Sequence, residues 1–374
     1  MDLVLTEEQT MLQKSARDFV TSRAPRSRLR KLAEEKQIWS RELYKEMAAL
    51  GWLGLMIPEA HGGAGLGARY LMVVLEELGK ALAPEPVLSS ALVAALAIGA
   101  GDDDTQAREH LPAIATGERV YALAHAESGG RYGVGAVDTS ADKAAGGWSL
   151  RGEKVHVEEG SIADWLLVSA RAPDGISLFV VPASAKGVRV RPQARIDGRS
   201  AAIIELDGVI VERDARLGEP HKGQRLLERV LDAATIGLSA EMLGTMLGAF
   251  EMTLDYLKTR EQFGVPIGSF QALQHRAARI FVETELARSA VMHAHGVLDG
   301  LDEGASAAVA ASVAKAKCSD ALMLIAHESV QMHGGIGMTT EHDVGMYLKR
   351  ARVAEMTLGD ATYHRDRYAR LGGF

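Results

Sequence analysis

The stretch Arg260-Glu261-Gln262-Phe263-Gly264-Val265-Pro266-Ile267-Gly268-Ser269-Phe270-Gln271 stands where two long helical patterns meet. Before it, Thr253, Leu254, Tyr256 and Leu257 recur at helical spacing and lead into a fixed cation, Arg260. Phe263-Gly264 turns the chain, Pro266 cannot continue the earlier helix, and Ser269 is placed to cap a new helix with Gln271 in its first turn. A guanidinium and a helix N-terminus are thereby brought together. Arginine offers a planar fork of donors and first-turn N–H groups lack intrahelical partners, so the pair suits a phosphate or pyrophosphate. An αα-corner carrying a surface arginine is the plainer reading of the same residues.

Outward from this point, periodicity divides the 374 residues into three segments. In residues 1–118 apolar side chains recur at three and four, as in Leu71, Val74, Leu75 and Leu78, with breaks at Pro58 and His61-Gly62-Gly63, which predicts a helical domain. In residues 119–217 the pattern shortens to strands at 163–169, 176–181, 188–190 and 202–206, separated by Gly, Pro and Asp turns. Short strands without helices between them point to a small antiparallel barrel or sandwich. Over residues 222–374 the period returns to that of long helices, the makings of a bundle. The expected class is therefore α+β, with helices, then strands, then a helical bundle.

Composition narrows the function. A net charge of −7 without a basic run argues against nucleic acid as a partner. Thr6-Glu7-Glu8-Gln9 reads as a capping box opening a helix, where a secretory chain would show a basic and then an apolar run. The apolar residues 87–100 are too few to span a bilayer and read as a buried helix, so no membrane span is expected. The single cysteine, Cys318, lies in an alanine-rich helical pattern and reads as core; without a disulfide framework the chain suits a reducing cytoplasm. His293 and His295, i and i+2 on a helix, face different sides and do not make a metal site with Glu283 and Glu285. Asp102-Asp103-Asp104 with Thr105 reads as a solvated helix start.

The opening stretch closely resembles the flavin-binding signature of the acyl-CoA dehydrogenase family, and Gln331-Met332-His333-Gly334-Gly335-Ile336-Gly337 resembles the family's Q-x-x-G-G-x-G loop. The order of domains is the family's as well, so the resemblance covers the whole chain. It implies FAD as cofactor, an acyl-CoA thioester as substrate and electron-transfer flavoprotein as acceptor. The implied reaction is α,β-dehydrogenation, in which a glutamate removes the α-proton while hydride leaves the β-carbon for the flavin, as in β-oxidation and in the degradation of steroid side chains. His333 would either touch the adenine or only begin the loop. The stripe Met242, Leu243, Met246 and Leu247 would be core or line the acyl pocket, and Gly237, Gly244 and Gly248 would leave a wide cavity or allow close helix packing.

Against that pattern the base is missing. The family's glutamate in a Y-E-G-T stretch is replaced here by Leu358, and the alternative position on the first long bundle helix by Ala234. Asp360 is the nearest displaced carboxylate, although an exposed helix-end aspartate accounts for it more simply. The ring platform departs too: Ala126-Glu127-Ser128-Gly129-Gly130-Arg131-Tyr132 keeps only Glu127 of the family's T-E-P-x-x-G-S-D. Lys154-Val155-His156-Val157-Glu158-Glu159-Gly160 replaces K-x-W-I-T-N-G, setting two carboxylates where a ring becomes anionic on reduction, and Thr235 stands in for an arginine on the CoA side. What survives, Arg260, Phe263, Gln271, Gln331, Gly334 and Gly335, is the set the family uses across a subunit interface on the ADP end of a neighbour's FAD. The resemblance thus points to the smaller, base-lacking subunit of a heteromeric bacterial acyl-CoA dehydrogenase, paired with a paralogous chain or with itself in a dimer or tetramer. An active homo-oligomer with a displaced carboxylate and a flavin-free assembly or acyl-CoA-binding protein are the alternatives; a lost base costs roughly 10²–10⁴-fold in rate.

Overall fold

Thr6 begins the first helix as its sequence requires: its Oγ1 accepts the Gln9 N–H at 3.2 Å while Gln9 Oε1 accepts the Thr6 N–H at 3.1 Å. The computed structural model describes residues 3–101, 104–302 and 304–374. In chain order, the helices before the sheet are α1 (Glu7–Arg23), α2 (Ser27–Glu34), α3 (Arg41–Ala49), α4 (Ala68–Lys80), α5 (Ala95–Gly99), which continues a π-helical stretch Leu88–Ala94, and α6 (Asp104–Ala115). Strands β1 (Tyr121–Ala124), β2 (Ser140–Ala144), β3 (Gly147–Glu158), β4 (Trp165–Ala172), β5 (Gly175–Pro182), β6 (Val188–Pro192), β7 (Ala201–Glu212) and β8 (Arg216–Leu217) follow. Then come α7 (Gly223–Thr259), a two-residue hairpin of β9 (Glu261–Gln262) and β10 (Val265–Pro266), α8 (Gln271–Leu298), α9 (Ala307–His333), α10 (Val344–Met356) and α11 (Ala361–Leu371). The mixed α+β architecture agrees with the sequence. Asp104 opens α6, whereas Asp102 and Asp103 lie outside the described residues.

Contacts gather the chain into two compact units. One comprises Lys36–Leu71 and Pro84–Ala234, the other Met1–Glu35, Met72–Ala83 and Thr235–Phe374. The first contains the sheet, ordered β6-β7-β3-β2-β4-β5-β8, with β1 on β4. Two of its pairings, β1 with β4 and β2 with β4, are parallel, which departs from the all-antiparallel expectation. The chain between β1 and β4 carries β2 and β3, long enough to return a strand in the same direction. Trp148, Leu150, Val168, Phe179, Ile204 and Leu206 alternate inward to form the core of this unit, with the Trp148 ring edge-on to Phe179 at 5.6 Å.

In the second unit, α4 and α7 approach until their backbones touch. A Cβ on Gly244 would lie 1.8 Å from Glu76 O, one on Gly79 2.2 Å from Glu241 O, and one on Gly248 2.6 Å from Lys80 O. Close packing, not a widened cavity, therefore explains Gly244 and Gly248. Met242, Leu243 and Met246 are buried core beside them. The apolar window of α7 is long enough to cross a membrane, yet 89% of it is buried, as in a core helix. By contrast α8 turns Phe281, Val282 and Leu286 outward. Cys318 is fully buried, and burial pushes its thiol up to about 12, consistent with a packing role.

Candidate functional site

The predicted phosphate-binding stretch folds into a tight hairpin. Gln262 pairs with Val265 and Glu261 with Pro266, while Phe263 and Gly264 take φ values of +55° and +80°, the combination a two-residue turn of this hand requires. The Arg260 N–H still bonds Tyr256 O at 2.8 Å, so Arg260 finishes α7, and Ile267 N–H closes the hairpin on Arg260 O at 2.8 Å. The Arg260 side chain is exposed, and among the described residues no hydrogen bond or ion pair holds its guanidinium. Phe263 is 93% exposed, its ring edge-on to Phe270 with centroids 6.1 Å apart. Ser269 does not cap α8. Its hydroxyl donates to Pro266 O at 2.7 Å inside a 3₁₀ turn, Ile267–Ser269, and the capping position falls to Phe270, which supplies no side-chain bond. The extra 3₁₀ turn shifts the helix start by one residue, leaving Gln271 exposed at the first position.

The glycine loop follows the last residue of α9. Gly334 has φ +64° and ψ −142°, a conformation closed to residues with a Cβ, and nothing lies within 4 Å of a Cβ built on Gly334 or Gly335. Gln331, Gly334 and Gly335 are exposed. Gly337 is present for a different reason, since a Cβ there would meet Val330 O at 2.7 Å. His333 is buried. Its ring stacks on Tyr256 at 4.5 Å and meets His342 at 4.5 Å, while Nδ1 donates to Ser329 O at 2.7 Å. Burial, reinforced by His342, holds its pKa below the usual histidine range. The neutral ring thus ties the start of the loop to α7, one turn before Arg260.

At the position of the missing base, Leu358 sits half-buried with φ +58°, next to Gly359 at φ +105°. The loop is pinned from below by Lys315, a fully buried side chain whose Nζ donates to Gly359 O at 2.7 Å, Glu355 O at 2.9 Å and Ser319 Oγ at 3.2 Å. His364 Nε2 donates to Leu358 O at 2.9 Å, and burial, with Lys315 nearby, depresses its pKa to about 4. Asp360 is committed elsewhere: its Oδ1 accepts the Tyr363 N–H at 2.8 Å and caps α11. Glu355 pairs with Arg352 at 2.5 Å, and Ala234 is buried. Nothing in the sequence marked Lys315, because a lysine in an alanine-rich helix reads as solvated.

The strand residues equated with the ring platform are tied to one another. Lys154, fully buried, donates to Glu127 Oε1 at 2.6 Å and Ser169 Oγ at 3.0 Å. Glu127 also accepts the Asp138 N–H at 2.7 Å and the Thr139 hydroxyl at 2.7 Å. Burial pushes the Lys154 ammonium down to about 8 against the opposing pull of Glu127. Burial alone would raise Glu127, but the bonds from Lys154, Thr139 and Asp138 hold it below the usual range. The pairing of β3 with β7 slips between Lys154 and Val157, which leaves His156 exposed at φ +50°. The two adjacent carboxylates are placed differently: Arg195 donates to Glu158 Oε1 at 2.6 Å and to Asp197 Oδ1 at 3.2 Å, and Glu159 is buried. Arg195 lies 37 residues beyond Glu158, a separation at which local pattern carries no sign of the pair.

Among the described residues no group of three or more His, Cys, Asp or Glu could hold a metal ion. His293 pairs with Asp302 at 3.3 Å, and buried His295 turns Nδ1 to Val291 O at 2.8 Å.

Comparison with known proteins gives three consecutive matches: residues 6–118 to "Acyl-CoA dehydrogenase, N-terminal domain", 122–209 to the middle domain and 221–372 to the C-terminal domain. The acyl-CoA dehydrogenase FadE27 of Mycobacterium tuberculosis is 31% identical over 371 residues, covering 97% of this chain and 96% of the relative. Among solved structures, a variant of the Tcur3481-Tcur3483 steroid ACAD is 36% identical with a TM-score of 0.88, covering 98% of both chains. The ChsE4-ChsE5 complex from Mycobacterium tuberculosis is 29% identical with a TM-score of 0.91, covering 100% of this chain and 99% of the other.

Proposed function

The chain belongs to the acyl-CoA dehydrogenase family, and from that premise we propose that it is the non-catalytic subunit of a heteromeric member, clamping the ADP half of an FAD seated in a paralogous partner. The observation that carries this reading is the contrast between an exposed Arg260, its donors uncommitted among the described residues, and an apolar Leu358 whose neighbours in sequence, Asp360 and Glu355, are engaged in a helix cap and an ion pair. The residues present fit an ADP group: Arg260 would hold pyrophosphate, Gln271 and Gln331 are exposed amides, and the Gly334-Gly335 loop has room where any side chain would intrude. They fit the ring poorly, since His156 and the paired Glu158 stand where the family has Trp and Thr. FAD, when bound, supplies the hydride acceptor; this chain's part is to bind and orient. Likeness to proteins named as the Tcur3481-Tcur3483 steroid ACAD and as the ChsE4-ChsE5 complex supports a paired assembly acting on a bulky acyl-CoA. Electron-transfer flavoprotein as acceptor and a cytoplasmic setting belong to the same proposal. Domain limits of 1–118, 119–217 and 222–374 belong to the same reading.

Neither alternative gains an observation. Asp360 caps a helix, which lends no support to an active homo-oligomer with a displaced base, and a flavin-free binding protein gives no account of Arg260 and the empty-sided glycines. The test is co-expression with a family member that has an intact glutamate. The chain alone should be colourless, the pair should carry one flavin per two chains, and Arg260→Ala should strip that flavin while this chain stays folded. A yellow chain, loaded with FAD by itself and reducing an acceptor with an acyl-CoA, would overturn the assignment.

A further inference from the structure

Residues 339–343 join the glycine loop to α10 without belonging to a helix or strand, so something other than backbone ladders must fix them. Arg30, on α2, does so. Its Nε and Nη2 donate to Asp343 Oδ1 at 2.9 and 2.7 Å, Nη2 also to Glu341 O at 2.9 Å, and Nη1 to Thr340 O. A planar guanidinium reaches a carboxylate and two carbonyls at once, which an ammonium of similar length does not do. Within the same segment His342 Nδ1 accepts the Val344 N–H at 3.2 Å, which turns its ring toward the His333 face 4.5 Å away. His333 in turn stacks on Tyr256, one turn before Arg260. All of these residues lie in one compact unit. An unbroken series of contacts thus runs from α2 to both halves of the clamp, the Gln331–Gly335 loop and the end of α7.

We propose that Arg30 is a positioning residue for nucleotide binding: through Asp343, His342 and His333 it holds the glycine loop and the Tyr256–Arg260 turn in register, so that α2 sets the affinity of the clamp for the ADP half of FAD. The inference rests on the role proposed for Arg260 and says more, because Arg30 itself is given no contact with the nucleotide. A purely structural arginine would alter folding or assembly. A positioning arginine alters the dissociation constant of FAD and leaves the chemistry intact once FAD is in excess.

The experiment uses the assembled pair with its catalytic partner and compares Arg30→Ala, Arg30→Lys, Asp343→Asn and Arg260→Ala. For Arg30→Ala the FAD dissociation constant should rise about tenfold, the loss expected when bonds involving a charged group are removed. Arg30→Lys should recover only part of it, Asp343→Asn should resemble Arg30→Ala, and added FAD should restore kcat with an unchanged KM for acyl-CoA. Hydrogen exchange on the subunit should speed up in 331–343 and spare the sheet. If Arg260→Ala strips flavin but Arg30→Ala and Asp343→Asn bind FAD as tightly as the parent, the positioning role is wrong while the clamp stands. If Arg260→Ala itself keeps its flavin, the clamp reading fails first. A kcat that stays low in excess FAD, or a pair that no longer assembles, would make Arg30 merely structural and overturn the inference.

Discussion

Arg260 and Lys154 are both cations at positions that the family signatures single out, and they are used in opposite ways. Arg260 stands in water with no side-chain partner among the described residues, one turn beyond the Tyr256 that stacks on His333 at the start of the glycine loop. Lys154 is fully enclosed and bonded to Glu127 and Ser169. The difference teaches where function is to be sought. A polar group satisfied by its neighbours contributes to the fold, whereas one left in solvent with its donors free is available to a ligand, because binding there does not first require an internal pair to be broken.

The sharpest way to break this contrast is to remove each cation and compare stabilities. Lys154→Met leaves Glu127 buried and unpaired, and should lower unfolding free energy by about 3–5 kcal/mol. Arg260→Ala should stay within about 0.5 kcal/mol of the parent. Equal losses in chemical denaturation would erase the distinction between the two sites.

Acid should separate the buried network from the clamp next. His364 has a folded pKa of about 4 against an unfolded value near 6.5, so between those pH values the unfolded chain binds more protons. Stability therefore falls as pH drops from about 6.5 to 4, by up to about 3 kcal/mol from this residue, and His364→Gln should flatten that limb of a denaturation-against-pH curve. A limb unchanged by the substitution would mean that His364 is not held neutral by burial.

Smaller effects test the two departures from expectation. Arg195→Ala removes the bonds to Glu158 and Asp197 and should cost about 1.5 kcal/mol in thermal unfolding. Leu358→Gly relieves a left-handed backbone and should raise stability by about 1 kcal/mol, provided Lys315 still pins the loop. A loss of stability there would show that the leucine side chain contributes more by packing than its backbone conformation costs.

Local rules carried much of the fold. The capping box at Thr6, the helical run into Arg260 and the strand from Trp165 depend on residues near one another in sequence, and each formed with its ends displaced by a few positions at most. The long strand β3 is illegible in the sequence because Gly152, Glu153 and Lys154 interrupt its alternation, yet pairing with β7 on one side and β2 on the other holds it in the sheet. The β9–β10 hairpin was read only as a turn, since its strands are two residues long. Within the candidate site, Arg260, Phe263, Gly334 and Gly335 proved to be exposed turn positions and Gln271 and Gln331 exposed helix-end residues, whereas Glu127, Lys154 and His333 are buried. The side chains that organise them, Lys315, His342, Arg195 and Arg30, were illegible because the groups they meet are distant in the chain or take their places only once the helices have packed.

The outward face of α8 has a further consequence. Phe281, Val282 and Leu286 lie in water on a helix whose other side is already packed, so any chain that covers them adds its binding free energy to that of folding. Where a partner chain covers them, the melting temperature is not a constant of this sequence but rises with the concentration of that chain.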